Sequence, residues 1–231
     1  MARFIHFLIG VLILGIAGCG RPDAERPAPA REAAASPSPA AAEPAVSVPR
    51  IVFLGDSLTA GYGLTRGEEV PGLIQARLNK EGYRYEVVNA GVSGDTSAGG
   101  LTRLDWSLEG NVAALVVELG ANDGLRGLPV SQLKQNLTEI ITRAKQRGIK
   151  VILTGMEAPP NYGPLYTAEF RQVFRELAKE HDVAFMPFYL DGVAGVASLN
   201  LSDGIHPNAA GSRVIEERLW SVLEPLLEKQ D

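Results

Sequence analysis

Four apolar residues, Ile51-Val52-Phe53-Leu54, run without interruption into Gly55-Asp56-Ser57. So short and uniform an apolar run suits a strand buried on both faces, the situation of an inner strand in a parallel sheet. The glycine permits a sharp turn where the strand ends. Ser57 then falls just past the carboxyl end of the strand, where open α/β sheets place their ligands. Taken alone, the stretch leaves two readings of Ser57 open. It is a nucleophile, or it is a serine that caps the next segment or fills a turn.

The pattern recurs along the chain. Residues 85–88, 113–117, 151–153 and 183–186 also read as strands. Between them, Leu133, Leu137, Ile140, Ile141 and Ala144 mark one face of a helix that Gly148 can stop. Phe170, Val173, Phe174, Leu177 and Ala178 mark a second helix, and Ile215, Leu219, Val222 and Leu223 mark a third. Stripes of this kind are core. The alternation implies a three-layer α/β/α sandwich around a parallel sheet of about five strands, formed by residues 50–231.

The first 49 residues are of another kind. Arg3 precedes an apolar run over residues 4–17, broken only by His6. That run is too short for an ordinary transmembrane span and suits the core of a signal peptide. It ends in Leu14-Gly15-Ile16-Ala17-Gly18-Cys19, which resembles a bacterial lipoprotein signal: an aliphatic residue, two small residues, then cysteine. The other reading is a secretory peptide that happens to contain a cysteine. The resemblance implies a signal peptide over 1–18 and lipidation of Cys19 as the mature N-terminus. It implies a lipid-anchored protein of the bacterial cell envelope. Gly20, where Asp would mark inner-membrane retention in enterobacterial lipoproteins, points to the outer membrane and its periplasmic side. Residues 20–49 include ten Ala and seven Pro. Such a stretch cannot bury enough surface to fold, and it reads as a disordered tether with a contour of at most about 90 Å.

Composition excludes several function classes. The formal charge is −5 with no basic cluster, which argues against a nucleic-acid partner. Cys19 is the only cysteine, so neither an intrachain disulfide nor a cysteine metal site is available. With His6, His181 and His206 as the only histidines, a multi-histidine metal site is not expected either. No cofactor is called for, and a monomer is expected.

Four polar spots fall where strands end or helices begin: Ser57; Gly94 in Ser93-Gly94-Asp95; Asn122 in Gly120-Ala121-Asn122-Asp123; and Asp203-Gly204-Ile205-His206 before the last helix. Each has an ordinary explanation as a cap, a turn residue or a loop histidine. Together they supply an acyl-transfer site: a hydroxyl, a base, a carboxylate to orient it, and two groups able to donate to an oxyanion.

The ordered set resembles the SGNH, or GDSL, hydrolases. Gly55-Asp56-Ser57-Leu58 matches the nucleophile block, and Gly94 and Gly120-Ala121-Asn122-Asp123 match the glycine and asparagine blocks. Asp203-Gly204-Ile205-His206 matches the Asp-x-x-His block. The resemblance implies the family's flavodoxin-like fold and a Ser57-His206-Asp203 triad. It also implies an oxyanion hole from Ser57, Gly94 and Asn122, with Asp56 and Asp123 bracing turns. Within the family the chain is most similar to the thioesterase I/lysophospholipase/arylesterase branch. There the segments matching Leu125, Arg126, Gly127 and Leu128, and Asn161 and Tyr162, border the acyl site. The expected activity is hydrolysis of acyl esters or thioesters, such as lysophospholipids and short- to medium-chain acyl or aryl esters. A carbohydrate O-acetylesterase and a non-catalytic acyl-binding lipoprotein are the alternatives.

Overall fold

In the computed structural model, which describes residues 47–229, five strands form one parallel sheet. They are β1 (Arg50–Gly55), β2 (Glu86–Gly91), β3 (Val112–Glu118), β4 (Lys150–Thr154) and β5 (Ala184–Met186), in the order β2-β1-β3-β4-β5. The expected signal peptide, Cys19 and nearly all of the expected tether lie outside the described residues. β1 is flanked on both sides, with Ile51 paired to Val87 and to Ala114. That explains why Ile51, Val52, Phe53 and Leu54 are all fully buried. The edge strand β2 is half exposed, and β5 at the other edge has three residues.

The helices are α1 (Ser57–Ala60), α2 (Val70–Glu81), α3 (Ser97–Thr102), α4 (Leu104–Ser107), α5 (Ala121–Leu125), α6 (Val130–Gln146), α7 (Pro164–His181) and α8 (Ala209–Leu223). α2 packs against α8, while α6 packs against α3 and α7. These are the two outer layers. The five apolar positions named for α6 are all buried, as are the five for α7. The chain leaves α6 through Gly148, whose φ of 73° is left-handed.

Two elements depart from the sequence reading. β2 does not stop at Val88 but continues through Asn89 and Ala90 to Gly91, which pairs with Gly55. Asn89 is tolerated in the strand because its side chain donates to the Thr59 carbonyl and accepts from the Gly91 N–H, both at 3.0 Å. The second departure is α2, which no stripe had marked. Its buried Val70, Ile74 and Leu78 recur every four residues. Pro71 and Gly72 in the first turn disguise it, although proline is tolerated there because its missing N–H would have no helical partner.

The connection from β1 to β2 runs to one side, and that from β2 to β3 crosses to the other. The sheet therefore has a topological switch point between the carboxyl ends of β1 and β3, where such sheets leave a crevice.

Candidate active site

β1 delivers Ser57 to this crevice by an abrupt change from strand to helix. Asp56 is the N-cap of α1, and its Oδ1 accepts from the Leu58 N–H at 3.0 Å. Ser57 is the first helical residue, half-buried. Gly55 matters here for space rather than for φ: a Cβ on it would stand 2.0 Å from Thr59 Oγ1. Only glycine lets α1 fold back so closely on the end of the strand.

Asp203 and His206 arrive from the loop before α8. Asp203 Oδ1 accepts from the N–H groups of Ile205 and His206 at 2.9 and 3.0 Å, while Oδ2 holds His206 Nδ1 at 2.7 Å. One carboxylate thus folds the loop and orients the ring, which is how two residues three apart can serve one another. Gly204, with φ 70°, makes the turn. The backbone bonds to Asp203, with the ring bond behind them, hold its carboxyl at about 2. His206 Nε2 lies 3.0 Å from Ser57 Oγ. With Nδ1–H donating to the carboxylate, Nε2 is free to accept the serine proton. The Tyr62 ring lies against the imidazole, with centroids 4.5 Å apart.

Gly94 and Asn122 flank Ser57 in the same cleft. Gly94 sits in a turn with φ 85°, and its carbonyl accepts from Arg126 Nη2 at 2.8 Å. Asn122 is not a helix cap, since Gly120 holds that position in α5. Its amide Nδ2 donates to Asp56 Oδ2 at 3.0 Å. Asp123 accepts from the Ser97 N–H and hydroxyl and ties α5 to α3. The structure therefore gathers Ser57, His206, Asp203, Gly94 and Asn122 at one point.

The cleft beside them has a volume of about 800 Å³, with walls that include Leu58, Leu125, Met156, Phe188, Leu190 and Ile205. Of the loop residues that the sequence associates with the acyl site, Leu125 lines it. Arg126, Gly127, Leu128, Asn161 and Tyr162 are not on its wall. Arg126 holds Gly94, Tyr162 donates to the Leu125 carbonyl at 2.9 Å, and Leu128 accepts from Tyr166. Gly127 approaches the Tyr162 ring, and Asn161 is exposed. Pro159 and Pro160 line the cleft instead.

Sequence reasoning missed Tyr62, Arg103 and the wall formed by Met156, Phe188 and Leu190. Arg103 is half-buried and pairs with Asp95 at 2.6 Å. It also donates to the carbonyls of Gly55 and Ala90, so one guanidinium joins the ends of β1 and β2. No local pattern announces it. The wall residues had a signal, being apolar positions just past the ends of β4 and β5.

The sequence profile of the GDSL-like lipase/acylhydrolase family matches residues 53–214. Esterase TesA of Pseudomonas aeruginosa is 47% identical over 178 residues, which are 77% of this chain and 89% of the relative. Thioesterase 1/protease 1/lysophospholipase L1 of Escherichia coli is 37% identical over 178 residues, 77% and 84% of the two chains. The crystal structure of TesA superposes with a TM-score of 0.74 at 46% identity, covering 77% of this chain and 99% of that one.

Proposed function

Because the chain belongs to the GDSL-like lipase/acylhydrolase family, whose members include esterases similar to it along most of their length, we propose that it is a serine ester hydrolase. Ser57 is its nucleophile, His206 its base and Asp203 the residue that orients the base. The observation that carries this reading is the chain of hydrogen bonds from Ser57 Oγ through His206 to Asp203, at the mouth of an apolar cleft. Ser57 attacks the ester carbonyl as its proton passes to His206 Nε2. The N–H groups of Ser57 and Gly94 and the Asn122 amide receive the oxyanion. His206 then protonates the leaving group, and water activated by the same imidazole releases the acid from the acyl-enzyme.

The size and apolar walls of the cleft support an acyl chain longer than acetyl, in preference to a carbohydrate O-acetylesterase. Lysophospholipids and short- to medium-chain acyl or aryl esters fit this chemistry, as do thioesters. The sequence around Cys19 supports a lipid-anchored enzyme of the cell envelope, held to the outer membrane and facing the periplasm. Rates on p-nitrophenyl esters of increasing chain length, measured beside lysophospholipid, test the substrate class. Ser57→Ala is expected to fold normally and to lose at least ~10³-fold in turnover. Substantial hydrolysis by folded Ser57→Ala would refute the mechanism.

A further inference from the structure

Beneath the Ser57 turn, two acids lie together without exposure to solvent: Asp56, just past β1, and Glu118, the last residue of β3. The Thr59 hydroxyl donates to Glu118 Oε2 at 2.8 Å, and the Asp56 N–H reaches the same oxygen at 3.3 Å. Glu118 Oε1 receives no hydrogen bond from any described residue, and neither does the buried hydroxyl of nearby Tyr189. The two acids are close enough that each acts on the ionisation of the other.

Two buried anions side by side, with no cation paired to either among the described residues, are not a stable arrangement, so the pair holds a proton. Burial, reinforced by the charge of Asp56, pushes Glu118 well above the usual carboxylate range. Burial also raises Asp56, to about 6, against the opposing bonds from Leu58, Asn122 and Glu118. The hydrogen bonds place the proton on Glu118 and the charge on Asp56: Asp56 Oδ1 accepts from the Leu58 N–H, whereas Glu118 Oε1 has no donor among the described residues. Oε2 of Glu118 already accepts two bonds, which leaves Oε1 as the protonated oxygen.

An ionised Asp56 can only accept. Its Oδ2 faces the side chain of Asn122 at 3.0 Å, so the amide must present nitrogen there and not oxygen. The amide nitrogen carries a second N–H, which is free for the cleft. If Asn122 donates to the oxyanion, as proposed above, this orientation is the one catalysis needs. We propose that Asp56 and Glu118 share one proton so as to keep Asp56 purely an acceptor, which fixes the Asn122 amide nitrogen-first beside the reacting carbonyl. Both acids are positioning residues, acting through Asn122.

Steady-state kinetics of the full chain on p-nitrophenyl butyrate at pH 8, in a double-mutant cycle, test this. Asp56→Asn brings an amide that can donate to Asn122 and turn it around. It is expected to lower kcat about 10- to 100-fold and to leave KM within about threefold. In the Asn122→Ala background the same change is expected to cost less than about threefold, because the group it orients is gone. An equal loss in both backgrounds would overturn the proposal.

Glu118→Gln keeps a donor where the proton sits and is expected to hold kcat within about threefold, while Glu118→Met, which lacks one, loses about tenfold. Equal losses for the Gln and Met variants would likewise overturn it, and this comparison decides the matter if Asp56→Asn fails to fold. Ser57→Ala keeps the two levels apart. Turnover that survives it removes the proposed function, whereas an inactive Ser57→Ala beside an additive cycle removes only the positioning role.

Discussion

Replacing Asn122 with alanine cuts two hydrogen bonds that act in different states of the enzyme. One, to the oxyanion, forms fully only as the carbonyl is attacked, and losing such a donor costs about 10²–10³ in kcat, or ~3–4 kcal/mol of barrier. The other, to Asp56 Oδ2 at 3.0 Å, exists in the resting enzyme. Its loss leaves a fully buried carboxylate oxygen short of a donor, which costs about 1–3 kcal/mol of stability. In a domain of this size each kcal/mol moves Tm by roughly 2–4 °C, so a fall of about 2–12 °C is expected.

Helix capping does not enter, because the cap of α5 is Gly120 and alanine suits the second helical position. The Ser57 and Gly94 N–H groups remain, so the loss of activity should be smaller than for Ser57→Ala. Asp56 also loses a bond that holds its carboxyl down, so wild type and variant are compared at pH 8, well above the value of about 6 at which Asp56 is held in the wild type. Kinetics on p-nitrophenyl butyrate and thermal melting, run on one preparation, give both quantities. The expected result is a kcat lower by 10²–10³, a KM within about threefold and a modestly lower Tm. A lower Tm with near-wild-type kcat would show that Asn122 only braces Asp56, and the oxyanion assignment would fail.

Three further outcomes are expected. Gly55→Ala should cost about 1–3 kcal/mol in chemical denaturation and at least about tenfold in kcat. The reason is that the new Cβ would stand 2.0 Å from Thr59 Oγ1 and 2.8 Å from Glu118 Oε2, displacing the turn that carries Ser57; a stable, fully active variant would contradict it. The two perturbed aspartates should tilt Tm in opposite senses. Asp203, held at about 2, stabilises the fold above about pH 4 and loses this contribution as pH falls from there towards 2, so Asp203→Asn should flatten that limb. Asp56, held at about 6, binds its proton more tightly when folded, so its contribution declines as pH rises from about 4 to 6. Asp56→Asn should flatten that interval, and melting curves with unchanged slopes would refute both assignments. Cys19→Ala should shift the protein from the membrane fraction to the soluble or unprocessed pool while hydrolysis persists, and unchanged fractionation of the processed variant would refute the anchor.

Local pattern was enough for most of the scaffold and for the residues that form the candidate site. Ile51–Leu54 read as an inner strand, since four consecutive apolar residues ending in a turn suit burial on both faces. The stripe from Leu133 to Ala144 has one helical face. Ser57, Gly94, Asn122, Asp203 and His206 were legible because each stands beside the end of a strand or helix, in an order that the family shares. One further signal was present and unread: Glu118 is an acid inside the apolar run Leu115-Val116-Val117-Glu118-Leu119, and an ionisable group in such a place needs a reason.

Tertiary structure alone decided the partners. Asn122 meets Asp56 across 66 positions and Arg103 meets Gly55 across 48. Arg126 reaches the Gly94 carbonyl across 32 positions, and β2 runs on to Gly91 because it lies against β1 and α1. Periodicity records how much of each element is buried, whereas the hydrogen-bond partner of a polar group depends on which strand ends are brought side by side. That is set by the order β2-β1-β3-β4-β5, which no single segment encodes.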